Sequence, residues 1–327
     1  MSQEIINVSD VQKILRDVQR EQFQTLQHFV ALHPNYHWTK LRYPKTGDTI
    51  LHVLSRLNCV QIIEDLLQIF GRDCVDCKNN DNKTALHEAA QFARSESVEV
   101  LIKHGANVNA LKKADWTPLM LACTKINENS LKTVETLLKH GSLVNYRNKD
   151  GWTVLHLISR EGDVDILNLL LKFGLDLGIK SRNGRSALHV AALHGNVNVM
   201  KRLLELNVDV NDTDTCGNTA LHEAVLGSNL GICDVLLGHN CDVDARNKQG
   251  FTILHLAAYD GSVDVMRYIV EILCFNVDVK NCKGLVPLHC AARGRNIDAY
   301  NFLLQCGADP TLKDEFGRVA HDYLTLK

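Results

Sequence analysis

No stretch of this sequence offers about 18 consecutive apolar residues, and the opening Met-Ser-Gln-Glu-Ile-Ile-Asn lacks a basic start followed by an apolar run. Neither a membrane-spanning helix nor a secretory leader is expected. Excess charge is also missing: the formal net charge is -2, so nothing in the overall balance attracts nucleic acid or an anionic membrane. With only five prolines, 45% hydrophobic and 23% charged residues, the composition is that of a folded chain rather than a disordered one. Cysteine is abundant but odd in number, eleven, and scattered, which is the pattern of reduced thiols in a cytosolic or nuclear protein.

Catalytic signatures are lacking too. There is no phosphate-cradling Gly-rich loop, no nucleophile elbow and no cluster of carboxylates. His87-Glu88 and His222-Glu223 begin like a zinc-protease helix, but Gln91 and Leu226 stand where the second histidine must close the site. Cys74-Val-Asp-Cys77 has a metal or redox spacing without a second pair or a helix start behind it. The expectation is a protein without catalytic turnover, cofactor or metal.

What the sequence has is repetition. Residues 183–212 give the clearest unit: Asn-Gly-Arg-Ser-Ala-Leu-His, a short helix, Gly195-Asn196, a second helix, then Val208-Asp-Val-Asn-Asp212. Gly184 stands where a finger reverses and needs a positive φ, and Ser186 is placed to cap the first helix. Ala191 and Ala192 allow close approach of a neighbour. Val199, Met200, Leu203 and Leu204 make one apolar stripe that a single unit cannot bury, so stacked copies must supply the other half of the core.

The motif histidine recurs at His52, His87, His156, His189, His222, His255 and His289, with Met120 in the one missing slot; the intervals are 35, 33, 36, 33, 33, 33 and 34 residues. With Thr117-Pro-Leu, Thr153-Val-Leu-His, Thr219-Ala-Leu-His, Gly105-Ala-Asn-Val-Asn and Gly307-Ala-Asp-Pro, the chain resembles the ankyrin-repeat family over nearly its whole length. The resemblance implies an all-α solenoid of helix-turn-helix units with β-hairpin-like fingers, in which the motif histidines are structural. The expected layout is an N-terminal helical cap and linker over 1–43, eight repeats (44–78, 79–110, 111–146, 147–180, 181–212, 213–245, 246–280, 281–313) and a truncated capping repeat over 314–327, with no room for an appended domain.

In the cap, two helices are expected over 9–32, with Ser9 as N-cap and Val11, Ile14, Leu15, Phe23, Leu26 and Phe29 facing inward; a connector with Pro34, Trp38 and Pro44 follows. Repeat three has three extra residues near Ile126 to Ser130, which should bulge its inter-helix turn. Asn82 and Asp115 replace the finger glycine. Val286 has no oxygen with which to cap its helix, at a cost of about 1 kcal/mol.

A second periodicity is laid over the first. Lys113 precedes Trp116 and Lys149 precedes Trp152 by three residues, in the same slots of consecutive repeats; the corresponding slots later hold Arg182 with Arg185 and Lys248 with Phe251. At a neighbour spacing of roughly 10 Å, the helix-packing distance, the two indoles are expected to form an aromatic strip on the concave side, edged by Lys112, Lys113, Arg147, Lys149, Lys180 and Arg182. Trp and Arg are typical anchors of protein interfaces. Asp115, Asp150, Asp176, Asp212 and Asp214 interrupt the positive charge, so nucleic acid fits the strip poorly.

Leu111-Lys-Lys-Ala-Asp-Trp-Thr-Pro-Leu-Met-Leu-Ala-Cys-Thr124, Asn148-Lys-Asp-Gly-Trp152 and Ser159-Arg-Glu-Gly-Asp163 resemble a particular ankyrin-repeat family, the co-regulators of alanyl-tRNA synthetase. That resemblance implies a monomer that binds the synthetase catalytic domain and accepts misactivated serine on lysine side chains. Lys113 and Lys149 stand where the family's acceptors fall, and Lys180 lies about two places from the third. Only about 0.04% of an ordinary lysine is neutral at pH 7, so a lowered pKa or a high local concentration is required. The adjacent ammonium groups of Lys112 and Lys113 are expected to disfavour each other's charge. The alternative reading is an ankyrin scaffold for an unrelated protein.

Overall fold

The computed structural model describes residues 8–33, 36, 39, 41–70 and 74–325; Pro34, Trp38 and the side chain of Ser9 lie outside the described residues. The chain divides into two compact units, Met1–Leu157 with Asp165–Leu175, and Ile158–Val164 with Asp176–Lys327. The first carries α1 (Val8–Gln19), α2 (Gln24–Leu32), α3 (Ile50–Leu57), α4 (Val60–Phe70), α5 (Ala85–Gln91), α6 (Ser95–Lys103), α7 (Pro118–Ala122) and α8 (Ser130–Lys139). The residues of α9 (Val154–Glu161) and α10 (Val164–Lys172) are divided between the units. The second unit continues with α11 (Ala187–His194), α12 (Val197–Glu205), α13 (Ala220–Leu226), α14 (Leu230–Leu237), α15 (Ile253–Asp260), α16 (Val263–Arg267), α17 (Pro287–Arg293), α18 (Ile297–Gln305) and α19 (Ala320–Thr325). No strand occurs among the described residues; the fingers contribute two isolated bridges, Arg42 with Thr49 and Lys112 with Trp116.

Within each unit the first helices of successive pairs pack on one another and the second helices form another layer: α3, α5 and α7 against α4, α6 and α8 in the first, α11, α13, α15 and α17 against α12, α14, α16 and α18 in the second. The pairs Ala89-Ala90, Ala191-Ala192 and Ala291-Ala292 are fully buried between first helices, because a methyl is all that fits at this spacing. In the N-terminal pair Ile14, Leu15, Leu26 and Phe29 are buried as expected, and Val18 joins them. α1 already includes Ser9, so the helix begins before the residue expected to cap it. The Tyr43 hydroxyl donates to the Leu15 carbonyl at 2.8 Å and ties this pair to the first finger.

The Thr-x-x-His motif is a capping box in which histidine replaces the usual acid. In α13 the Thr219 oxygen accepts from the His222 backbone N–H, and the Thr219 N–H donates to His222 Nδ1 at 3.2 Å. His222 Nε2 then donates to the Phe251 carbonyl of the following finger at 3.3 Å. The same relay runs from His52 to Lys83, His87 to Trp116, His189 to Asn218, His255 to Leu285 and His289 to Arg318. One side chain thus closes its own helix and holds the next finger. At α17 only half the box exists: the Val286 N–H donates to His289 Nδ1, while the fully buried Val286 side chain has no acceptor to return.

Most fingers turn around one polar hub. The side-chain oxygen of Asn79, Asn148, Asp214, Asn247, Asn281 or Asp314 accepts the backbone N–H groups two and four residues on. Gly184 has φ +73, and a Cβ there would lie 2.7 Å from the Thr215 nitrogen of the next finger, so both conformation and closeness require glycine. Asn82 (φ 59) and Asp115 (φ 61) do adopt the glycine conformation. Ala114, at φ 62, joins Asp115 in it, which the sequence pattern did not indicate.

Of the three irregular intervals, those of 36 and 34 residues are absorbed differently. The three extra residues of repeat three widen the α7–α8 connection, which the Ser130 hydroxyl folds by accepting from the Asn127 N–H at 2.9 Å and donating to the Lys125 carbonyl at 3.2 Å. The single extra residue between His255 and His289 enters the helix itself, as a π-turn over Tyr268–Ile272 directly after α16.

Candidate functional site

The finger of residues 111–116 differs from most others at its hub: Lys112 stands where Asn79, Asn148, Asp214, Asn247 and Asn281 stand elsewhere, and where the finger of residues 181–185 has Ser181. Without a side-chain oxygen to gather the turn, the chain forms a single 3-10 turn over Lys113–Asp115 with two left-handed residues, and the Lys112 N–H donates to the Trp116 carbonyl at 3.1 Å. That same carbonyl accepts from His87 Nε2 at 3.1 Å, so the previous repeat fixes the backbone of Trp116. Released from the turn, the Lys112 ammonium lies over the indole, 5.4 Å from its centroid.

Lys113 and Lys149 hold the same register. The Lys113 N–H donates to the Asp81 carbonyl at 3.0 Å, and the Lys149 N–H donates to the Ala114 carbonyl at 3.1 Å, so each finger tip is stitched to the one before. Both side chains are exposed, and so is Arg147. Trp116 and Trp152 are half-buried, each against its own repeat: Trp116 beneath Lys112, and Trp152 with its ring 5.7 Å from that of His156. Each indole is therefore only partly open to solvent.

The charge arrangement corrects the sequence reading in three places. The Lys112 ammonium is held below the ordinary lysine range by burial first and by the Lys83 ammonium second, not by Lys113. Lys113 is instead ion-paired with Asp81 at 3.0 Å, both side chains being well exposed. Trp116 and Trp152 belong to the first unit, whereas Lys180, Arg182 and Arg185 belong to the second. There Lys180 Nζ is taken by the Asp212 carboxylate and by the Thr213 carbonyl, which suits a structural link better than an acyl acceptor. Arg185 makes two 2.9 Å bonds to the buried Glu223, so its role is internal, while Arg182 is exposed.

In the sequence Glu223 and Glu88 stood out only as the start of an incomplete zinc-protease pattern, and their ion pairs were not foreseen. Each follows a motif histidine, in a slot that elsewhere holds Val53, Leu121, Leu157, Val190, Leu256 or Cys290, and the signal was the acid in an otherwise mostly apolar position. Glu88 receives Arg56 and Lys83, each at 2.9 Å. Burial pushes the Glu223 carboxyl up, partly offset by Arg185. Neither Glu leaves its histidine free for a metal, because both ring nitrogens of His87 and His222 are used in the capping relay. At Cys77, burial and then Cys74 push the thiol up, opposite to what a metal ligand or redox thiol requires.

The family model for ankyrin repeats (three copies) matches residues 16–112, 109–181, 155–247 and 228–314. The chain belongs to the ankyrin-repeat family. It is similar to the crystal structure of the human ASB11 ankyrin repeat domain, with a TM-score of 0.58 and 24% identity over 66% of this chain and 92% of that one, a likeness of fold. Among curated proteins, 78 residues are 36% identical to glycerophosphocholine phosphodiesterase GDE1 of Eremothecium gossypii, covering 23% of this chain and 6% of that protein. Another 40 residues are 45% identical to human protein phosphatase 1 regulatory subunit 27, covering 12% of this chain and 26% of that one. The chain thus spans only a small part of either curated relative. Ankyrin repeats are scaffolds for protein partners, and no helix among the described residues is long and apolar enough to cross a membrane.

Proposed function

We propose that the finger tips of repeats three and four dock the catalytic domain of alanyl-tRNA synthetase and accept misactivated serine on lysine, which limits mischarging of alanine tRNA. The supporting observation is the register of the two tips: Lys113 and Lys149 make the same backbone bond to the preceding finger, and each is followed three residues on by a half-exposed tryptophan. The blocks around Trp116 and Trp152 are similar to ankyrin repeat domain-containing protein 16, and that similarity names the partner. The protein acts as a monomer in the cytosol or nucleus, without turnover of its own.

The chemistry asks little of the scaffold. Seryl adenylate is a mixed anhydride; a neutral lysine amine attacks its carbonyl carbon, a C–N bond forms, the C–O bond to phosphate breaks, AMP leaves, and the proton lost from nitrogen goes to water. The scaffold's contribution is proximity. Lys149 carries no ion pair among the described residues and is the readier acceptor, whereas Lys113 must first leave Asp81. The test is to incubate the protein with alanyl-tRNA synthetase, ATP and serine and to map acylated lysines by mass spectrometry. Adducts at Lys149 and Lys113 are expected. A stable complex without adducts removes the capture step, and no complex at all leaves a scaffold for a different protein.

A further inference from the structure

A groove of about 570 Å³ lies wholly within the second unit, where the fingers of residues 214–218 and 247–251 meet α15 and α17. Phe251, Leu256 and Tyr259 supply its apolar surface, and Tyr259 is 56% exposed. Lys248 and Arg293 are exposed at its rim, no carboxylate lines it, and neither cation has an ion pair among the described residues. Asn247 Nδ2 donates to Asn218 Oδ1 at 3.0 Å, so Asn218, which lines the groove, keeps its amide nitrogen as a further donor.

The chain itself shows what such a cation lacks. Arg56 stands four residues after His52 and reaches Glu88, the residue after the next motif histidine, at 2.9 Å. Arg293 stands four residues after His289, in the same place of its own repeat. In the following module Asp322 occupies the histidine slot, accepting the Val319 N–H at 2.9 Å, so the counterpart of Glu88 is Tyr323. Arg293 lies 5.8 Å from the centre of that ring, a contact that leaves its charge without a counter-ion. The slots that hold Glu88 and Glu223 elsewhere hold Leu256 and Cys290 along this groove. Positive charge, apolar rings and a spare amide donor therefore converge where no internal acid is supplied.

We propose that this groove binds an extended acidic peptide segment of a partner protein: a Glu or Asp carboxylate on Arg293 and Lys248, its backbone on Asn218, and a neighbouring apolar side chain against Phe251 and Tyr259. The groove's residues all belong to the second unit, and the proposal does not depend on the synthetase reading. Two cations beside aromatic surface suit a single carboxylate, not the continuous positive track that a nucleic-acid backbone requires.

The test is to pan a random 12-residue peptide library on the full chain and to measure the enriched peptides, fluorescein-labelled, by anisotropy. Enriched peptides carry Glu or Asp beside an aliphatic or aromatic residue. Arg293→Glu and Lys248→Glu each weaken binding by about tenfold or more, as does Glu→Gln in the peptide, and changing the peptide acid to Lys restores affinity for Arg293→Glu. Both substitutions are at exposed positions, and unchanged thermal melts confirm that the variants fold. No enriched peptide, peptides without carboxylates, or equal binding to the charge-reversed variants would overturn the proposal.

Discussion

Val286 isolates the worth of one oxygen atom in the repeat motif. Its backbone N–H meets His289 Nδ1 as Thr252 meets His255, but no side-chain acceptor faces the His289 N–H. Val286→Thr supplies that acceptor with little change of volume and is expected to stabilise the protein by about 1 kcal/mol, seen as a higher midpoint in urea; a lower midpoint would mean that the hydroxyl stays unsatisfied. Arg185 and Glu223 give the opposite case. Glu223 is almost fully buried, whereas about a third of the Arg185 side chain is exposed. Arg185→Ala leaves the carboxylate without its partner and should cost about 2 kcal/mol after allowance for solvent screening. A second change, Glu223→Leu, should recover most of that loss; failure to recover it would show that Arg185 stabilises by packing instead.

At the scale of elements, the local motifs were legible and the cross-repeat partners were not. Thr219 and His222 lie three residues apart and form the cap between themselves, so the helix starts follow from sequence spacing. Arg56 with Glu88 and Arg185 with Glu223 are separated by 32 and 38 residues, and only the stacking of repeats brings each pair together. The Lys112 hub was present in the sequence as a lysine in a position held mostly by asparagine and aspartate, yet its effect, an unusual turn with the ammonium over Trp116, required the geometry of the other fingers. Likewise the 34-residue interval announced an insertion without showing that the helix after α16 absorbs it. Deleting the exposed Ile272 should convert the π-turn to regular α-helix with the fold retained and the melting temperature unchanged or raised. Loss of cooperative melting would indicate that the π-turn is required by its surroundings.

For the whole molecule, the relay histidines set the response to acid. Burial, before any other cause, holds His52, His189, His222 and His289 below their ordinary 6.5, and takes His87 and His255 down to about 4. Protonation would place a second N–H at Nδ1, facing the backbone N–H that it now accepts. Since the unfolded chain takes up these protons first, stability is fully present above about pH 6.5 and falls as pH drops toward 4; His87 and His255 each contribute on the order of 3 kcal/mol across that window. Urea midpoints measured from pH 7.5 to pH 4.5 should decline steadily, and a His255→Gln variant should decline less. A flat profile would mean that these histidines take up protons equally in the folded and unfolded chain.

The central functional claim rests on two indoles and their accompanying amines at neighbouring finger tips of the first unit. Its most direct test is calorimetric titration of the full chain with the isolated alanyl-tRNA synthetase catalytic domain, wild type against the Trp116→Ala, Trp152→Ala double variant. Each tryptophan is half-buried, so melts and the capping relay should survive the double change, while affinity falls by about a hundredfold or more, as expected for two interface anchors. Wild-type and doubly substituted chains binding with equal affinity, or a wild-type chain that does not bind, would contradict the account.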